Sequence, residues 1–315
     1  MDRVGFGPDA VGVNAPRGDD AFFTDVAQLQ AALTATNYLP DAATSTSAFL
    51  ADRLGKPLLV EGPAGVGKTE LARSLATAAG AELIRLQCYE GIDEARALYE
   101  WNHAKQILAI TAGQSRLGDT AGGWDAVKTD IFSTEFLLAR PLLQAIQRTE
   151  PTVLLIDEID KADVDVEALL LEVLGEFSVT IPELGTVTAA RRPLVILTSN
   201  ATRELSEALK RRCLYLYIDF PDPAREREIL AARVPDLTES VARELVRIVG
   251  VLRSLDVRKK PSVAETIDWA NTLLALGAGR SAGRIDDSLI ARTLGVVLKH
   301  RPDVTTALTE LKLRP

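Results

Sequence analysis

Gly62-Pro63-Ala64-Gly65-Val66-Gly67-Lys68-Thr69 sits between an apolar run, Pro57-Leu58-Leu59-Val60, and a stretch of helix formers from Glu70 to Ala79 that Gly80 closes. The spacing G-x-x-x-x-G-K-[ST], with a strand before it and a helix after it, is that of a phosphate-binding loop. Glycines let the backbone curl so that successive N–H groups point inward at phosphate oxygens, and the helix N-terminus adds partial positive charge. Lys68 brings a full charge to the β and γ phosphates, and Thr69 offers its hydroxyl to Mg²⁺. The stretch therefore predicts a site for ATP or GTP with Mg²⁺. Gly62, Pro63, Ala64, Gly65, Val66, Gly67, Lys68 and Thr69, with Glu70 at the helix start, are its candidate binding positions.

Downstream, two more apolar runs end in polar residues where the ligands of parallel sheets bind, at strand carboxyl ends. Val153 to Ile156 stops at Asp157-Glu158. Asp157 is placed to hold the metal with Thr69, and Glu158 to polarise an attacking water as general base. Leu194 to Leu197 stops at Thr198-Ser199-Asn200, so that the Asn200 amide can align water against the γ phosphate. Lys210-Arg211-Arg212 precede a last strand, Leu214 to Ile218. A guanidinium offered from there to a neighbouring subunit would stabilise charge on the transferring phosphoryl group. Arg212 is the preferred finger and Arg211 the second candidate.

Strands alternating with helices predict an α/β fold, a three-layer αβα parallel sheet of P-loop type. From Pro221 onward no strand-like run recurs: Asp222 and Pro223 open a helix, and Val241, Leu245, Ile248, Val249 and Leu252 form an apolar stripe. Ser262 and Glu265 then have capping-box spacing. The expected organisation is a flexible tail over 1–24, a nucleotide-binding domain over 25–220 and a smaller all-helical lid over 221–315. Within the first domain a helix is expected from Phe136 to Thr149 and a mixed helical segment from Glu94 to Thr111. A glycine-rich insert lies near 112–134 and a hairpin near 177–190.

The chain has 315 residues, 47% of them hydrophobic and 25% charged, enough for a sizeable core in two domains. A net charge of −8 argues against a surface-wide footprint for nucleic acid or anionic membrane. No apolar run approaches the roughly 20 residues of a membrane-spanning helix, and the N-terminus lacks signal-peptide organisation. Cys88 and Cys213 read as free thiols, suited to the cytoplasm. His103 and His300 each stand without a second ligand at metal spacing and read as surface or packing residues.

These elements in this order resemble the AAA+ superfamily, and within it the MoxR family. The likeness spans roughly Asn37 to Gly277. It includes Asn37-Tyr38-Leu39, which in such proteins lies against the adenine, so Tyr38 and Leu39 join the candidate binding positions. Gln87-Cys88-Tyr89-Glu90-Gly91, Tyr99-Glu100-Trp101-Asn102 and Phe136 to Ile146 look like the subgroup associated with carbon monoxide dehydrogenase maturation. The resemblance implies ATP hydrolysis in a hexameric ring with a chaperone-like role. It also implies a partner bearing a von Willebrand factor A domain and a client that is often a metalloenzyme. One position departs from the pattern: Ala264 stands where many relatives have the sensor 2 arginine. Lys259 and Lys260 are the nearby cations, and surface lysines at a helix entrance are their simpler reading.

Two other functions compete. A DNA-acting AAA+ motor would need basic or aromatic pore loops; Thr180 to Thr186 has no lysine or arginine, although Arg191 and Arg192 are near. A nucleotide-gated scaffold without turnover would require a defect at the base, and Glu158 is intact.

Overall fold

The computed structural model describes residues 20–114, 131–278 and 285–313. The flexible tail expected over 1–24 falls largely outside them, as do most of the 112–134 insert and the end of the chain.

Five parallel strands form the central sheet: β1 (Leu58–Glu61), β2 (Glu82–Gln87), β5 (Thr152–Asp157), β8 (Leu194–Ser199) and β9 (Leu214–Tyr217), in spatial order β2-β5-β8-β1-β9. Parallel pairing requires crossovers, and helices supply them on both faces. Each strand consequently sends alternate side chains into two cores. Leu58, Val60, Val153, Leu155, Leu194 and Ile196 join α1 (Val26–Ala35), α2 (Ala42–Leu54) and α3 (Lys68–Ala78) on one face. Leu59, Leu154, Ile156, Val195 and Leu197 face the opposite core. There they meet α6 (Pro141–Gln147), α7 (Val164–Glu176) and α8 (Glu207–Arg212). Every residue of β5 and β8 is buried, which explains the unbroken apolarity of Val153 to Ile156 and of Leu194 to Leu197. The expected three-layer αβα architecture is present.

Expectations change in two regions. Phe136 to Thr149 is not one helix: a 3₁₀ turn (Thr134–Phe136) leads into β4 (Leu137–Ala139), and α6 begins at Pro141. Proline has no N–H to donate and restrains its predecessor to extended backbone, so the helix starts there. β4 pairs antiparallel with β3 (Tyr99–Trp101), which interrupts the expected helical stretch between α4 (Glu94–Ala97) and α5 (His103–Gln114). Secondly, the chain is already anchored before residue 25. Phe23 is only 3% exposed, and the backbone N–H groups of Phe22 and Phe23 donate to the buried Asp52 carboxylate. The hairpin of β6 (Ser178–Ile181) and β7 (Gly185–Thr188) follows α7.

After β9 the described residues form helices and no strand: α9 (Pro223–Arg233), α10 (Glu239–Ser254), α11 (Val263–Ala275), α12 (Asp287–Thr293) and α13 (Arg301–Glu310). They enclose their own core around Leu245, Val249, Trp269 and Leu273. The Ser262–Glu265 capping box forms reciprocally and starts α11. A buried ion pair ties α9 to α10, with both Arg253 Nη atoms on Glu226 at 2.7 and 2.8 Å and the Thr266 hydroxyl donating to the same carboxylate.

Candidate functional site

The loop from Gly62 to Gly67 is shaped by two close approaches. At Gly62, φ is +150°, and a Cβ there would lie 1.9 Å from the Ile218 carbonyl oxygen. At Gly65, φ is +75°, and a Cβ would meet the Ser262 side chain at 2.5 Å. Only glycine lets the loop pass between the end of β9 and the start of α11. The Ala264 N–H donates to the Gly65 carbonyl at 3.3 Å, so the helical domain touches the loop directly.

At the loop's end Lys68 is 6% exposed. Its ammonium donates to Gly62 O, Pro63 O and Asn200 Oδ1 at 2.7, 2.7 and 2.8 Å. None of these acceptors is charged. Burial lowers the Lys68 pKa from its ordinary value, and the field of Asp160, Asp157 and Glu158 works the other way. A desolvated cation on neutral oxygens is a site made for an anion.

The metal-binding candidates meet at the end of β5. Asp157 Oδ1 accepts from the Thr69 hydroxyl at 2.9 Å and from the Thr198 hydroxyl at 2.5 Å. A hydroxyl and a carboxylate fit a hard cation such as Mg²⁺, which prefers oxygen ligands and keeps several waters. Glu158 follows in left-handed backbone conformation, φ 56° and ψ 49°. That conformation costs a non-glycine residue about 1–2 kcal/mol; the bond from its N–H to Thr198 Oγ1 at 2.9 Å holds it there.

Asn200 is fixed by Asp160, a residue that sequence reasoning passed over. Oδ1 of this 3%-exposed carboxylate accepts from the Asn200 N–H, and Oδ2 accepts from the Thr202 N–H and hydroxyl. Burial alone would raise the Asp160 pKa, but these hydrogen bonds hold it below the ordinary value. Its signal was Asp157-Glu158-Ile159-Asp160, where a third acid follows the pair.

Ala64 to Thr69, Asp157, Glu158, Thr198 and Asn200 border one cleft of about 1030 Å³, which also takes in Tyr38, Leu39, Ile218, Val263, Ala264 and Ile267; Gly62, Pro63 and Asp160 do not border it. That is the upper end of the roughly 300–1,000 Å³ usual for small-molecule sites. Burial raises the Tyr38 pKa far above the ordinary phenol value. Sequence reasoning also missed the cleft's cations. Arg225 donates to Pro40 O at 2.9 Å and Arg233 pairs with Glu70 at 2.9 Å, both bridging the helical domain to the sheet domain. Their signal was weak, because charges on an exposed amphipathic helix resemble solvated ones. Lys259 and Lys260 do not border the cleft, and Lys259 pairs with Glu265 at 2.9 Å. Arg211 and Arg212 are exposed and lie outside it; Arg212 borders a smaller pocket with Lys56 and Gly175.

Residues 57–213 match the model of the AAA domain (dynein-related subfamily). Chaperone protein ClpB 2 of Parasynechococcus marenigrum is 34% identical over 142 residues, 44% of this chain and 13% of that protein. ClpA homolog protein of Fuscovulum blasticum is 33% identical over 45% of this chain and 14% of its own length. Protein NorQ of Paracoccus denitrificans is 27% identical over 206 residues, 63% of this chain and 65% of NorQ. The chain thus spans about one seventh of the Clp relatives and just under two thirds of NorQ. Residues 57–213 are thus similar to AAA domains of the dynein-related subfamily, and the glycine loop, the five-stranded parallel sheet and the helices after it give the chain the AAA+ P-loop αβα fold followed by a helical domain.

Proposed function

We propose that the chain is an ATPase whose cleft binds ATP with Mg²⁺ and whose turnover drives remodelling of a client protein. The observation that carries the reading is Lys68, a buried ammonium hydrogen-bonded only to neutral oxygens beside the Thr69–Asp157 pair. Bound Mg²⁺ would neutralise charge on the β and γ phosphates, held by Thr69 and Asp157. Lys68 and the loop N–H groups bind the phosphates, Glu158 takes a proton from the attacking water and Asn200 orients that water. Tyr38 and Leu39, which border the cleft, are assigned to the base. The Ala264, Arg225 and Arg233 contacts from the helical domain give nucleotide a means to move that domain against the sheet.

Arg211 and Arg212, outside their own cleft, are assigned to a neighbour's site, with Arg212 as the finger in a hexameric ring. The remodelling role is supported by the likeness to proteins named chaperones. A MoxR-type ring with a von Willebrand factor A partner and a metalloenzyme client is the finer reading, resting on Gln87 to Gly91 and Tyr99 to Asn102. No helix among the described residues is long and apolar enough to cross a membrane. Cys88 and Cys213 are free thiols with pKa values pushed up to about 12 by burial, which suits a reducing cytoplasm.

Subunit mixing tests the shared site. Lys68→Ala and Arg212→Ala are each expected to be nearly inactive alone. Mixed, they should recover turnover, because an intact cleft then meets an intact finger. No recovery at any ratio, with both variants forming rings, would refute the assignment in trans.

A further inference from the structure

Arg85 breaks the pattern of its strand. On β2 the side chains of Leu83, Arg85 and Gln87 share a face, register with Val153, Leu155 and Asp157 of β5, and so lie on the α3 side of the sheet. A charge in the middle of that face stands out, and it is used. The guanidinium donates from Nε at 3.0 Å and from Nη2 at 2.5 Å to Asp157 Oδ2. Since Thr69 and Thr198 already occupy Oδ1, the carboxylate is enclosed on both oxygens. The two partners differ in access: the Arg85 side chain is 42% exposed at the open edge of the sheet, whereas that of Asp157 is 3% exposed. Arg85 can leave the pair and Asp157 cannot.

The guanidinium also sets a neighbour. Nη2 donates to Gln87 Oε1, and because an arginine has donors only, Gln87 must turn its amide nitrogen the other way. That nitrogen donates to Glu158 Oε2 at 3.3 Å. One solvent-reachable cation therefore bridges both acids of the site, Asp157 directly and Glu158 through Gln87.

The geometry points to Arg85 as a positioning residue that acts as a displaceable counter-ion of Asp157, competing with the divalent cation for Oδ2 and setting how strongly nucleotide binding depends on metal. The inference rests on the nucleotide reading of the cleft. Without metal, Arg85 screens the Asp157 charge from the polyphosphate; with metal, it yields that oxygen. Charge, not packing, carries the effect, since the exposed arginine stem fills no core.

The test measures the dissociation constant of a fluorescent, non-hydrolysable ATP analogue in excess EDTA and in excess Mg²⁺, and takes the ratio of the two. Arg85→Ala should weaken binding in EDTA and leave or tighten it in Mg²⁺, raising the ratio at least fivefold over wild type. Arg85→Lys, which keeps the charge, should stay within twofold of wild type, and Arg85→Gln should follow Arg85→Ala. A merely structural ion pair would shift both constants by one common factor, and an unchanged ratio in Arg85→Ala and Arg85→Gln would overturn the inference. If Arg85→Ala does not fold, Arg85→Gln against Arg85→Lys decides it alone. Failure of the wild type itself to bind the analogue would instead sink the nucleotide reading.

Discussion

Replacing Asp160 with alanine removes three hydrogen bonds from a carboxylate that is itself only 3% exposed. The Asn200 N–H, 3.1 Å from Oδ1, and the Thr202 N–H, 3.2 Å from Oδ2, lose their acceptor, and the Thr202 hydroxyl loses its own at 2.5 Å. An unsatisfied buried donor costs about 1–3 kcal/mol. The Asn200 N–H is part-buried and Thr202 is an exposed residue that water can reach, so the loss is about 1–3 kcal/mol. For a domain near this size each kcal/mol lowers the melting midpoint by about 2–4 °C, so a fall on the order of 3–12 °C is expected. Function should suffer beyond stability, because the loop being freed carries Asn200, whose Oδ1 holds Lys68 at 2.8 Å. Asp160→Asn keeps the shape and one acceptor oxygen but opposes its NH₂ to a Thr202 donor, so a smaller loss is expected. The assay pairs circular-dichroism melting with phosphate release at a temperature where both variants are folded. A midpoint within 2 °C of wild type together with unchanged turnover in Asp160→Ala would refute the reasoning.

Gly62→Ala places a Cβ 1.9 Å from the Ile218 carbonyl oxygen, an overlap with backbone that no rotamer relieves; a loss of about 3 kcal/mol or more is expected, at the upper end of overpacking costs, read as a lower urea midpoint. Arg253→Ala strands the buried Glu226 carboxylate and removes the bond to Pro261 O and the stacking over Phe220 at 4.7 Å. Breaking one side of a buried pair costs about 3–5 kcal/mol, and hydrogen exchange should show residues 223–275 losing protection before β5 and β8. Acidification has a definite sign: hydrogen bonds hold the Asp160 and Glu167 pKa values below their ordinary values against the effect of burial. The stability they contribute is present above the unfolded carboxylate pKa of about 4 and is lost as pH falls through the lower folded values. Denaturation followed from pH 6 downward should show that loss, and Asp160→Asn should show less of it.

The sheet was legible because its strands are buried on both faces. Val153 to Ile156 and Leu194 to Leu197 admit no polar residue, and each ends in the acid or amide that borders the cleft. Short pairings were not legible: β3 and β4 have three residues each and owe their conformation to one another, which local periodicity cannot reveal. Within the site, the glycine loop announced itself by spacing, while Asp160 and Arg85 did not, since each acts through contacts made 40 or more residues away in the chain. The contact between Ala264 and the loop was invisible for another reason: a backbone N–H carries no side-chain signature. The expected tail failed at Phe22 and Phe23 because a buried carboxylate on α2, Asp52, collects their N–H groups.

The central claim is that Lys68 and Glu158 divide binding from chemistry in one cleft, and nucleotide binding and phosphate release measured together on Glu158→Gln test it most directly. The expected result is ATP affinity close to wild type in the presence of Mg²⁺ with turnover reduced by about 10²-fold or more, the usual contribution of a general base, while Lys68→Ala binds no ATP. Phosphate release by Glu158→Gln at the wild-type rate would contradict it.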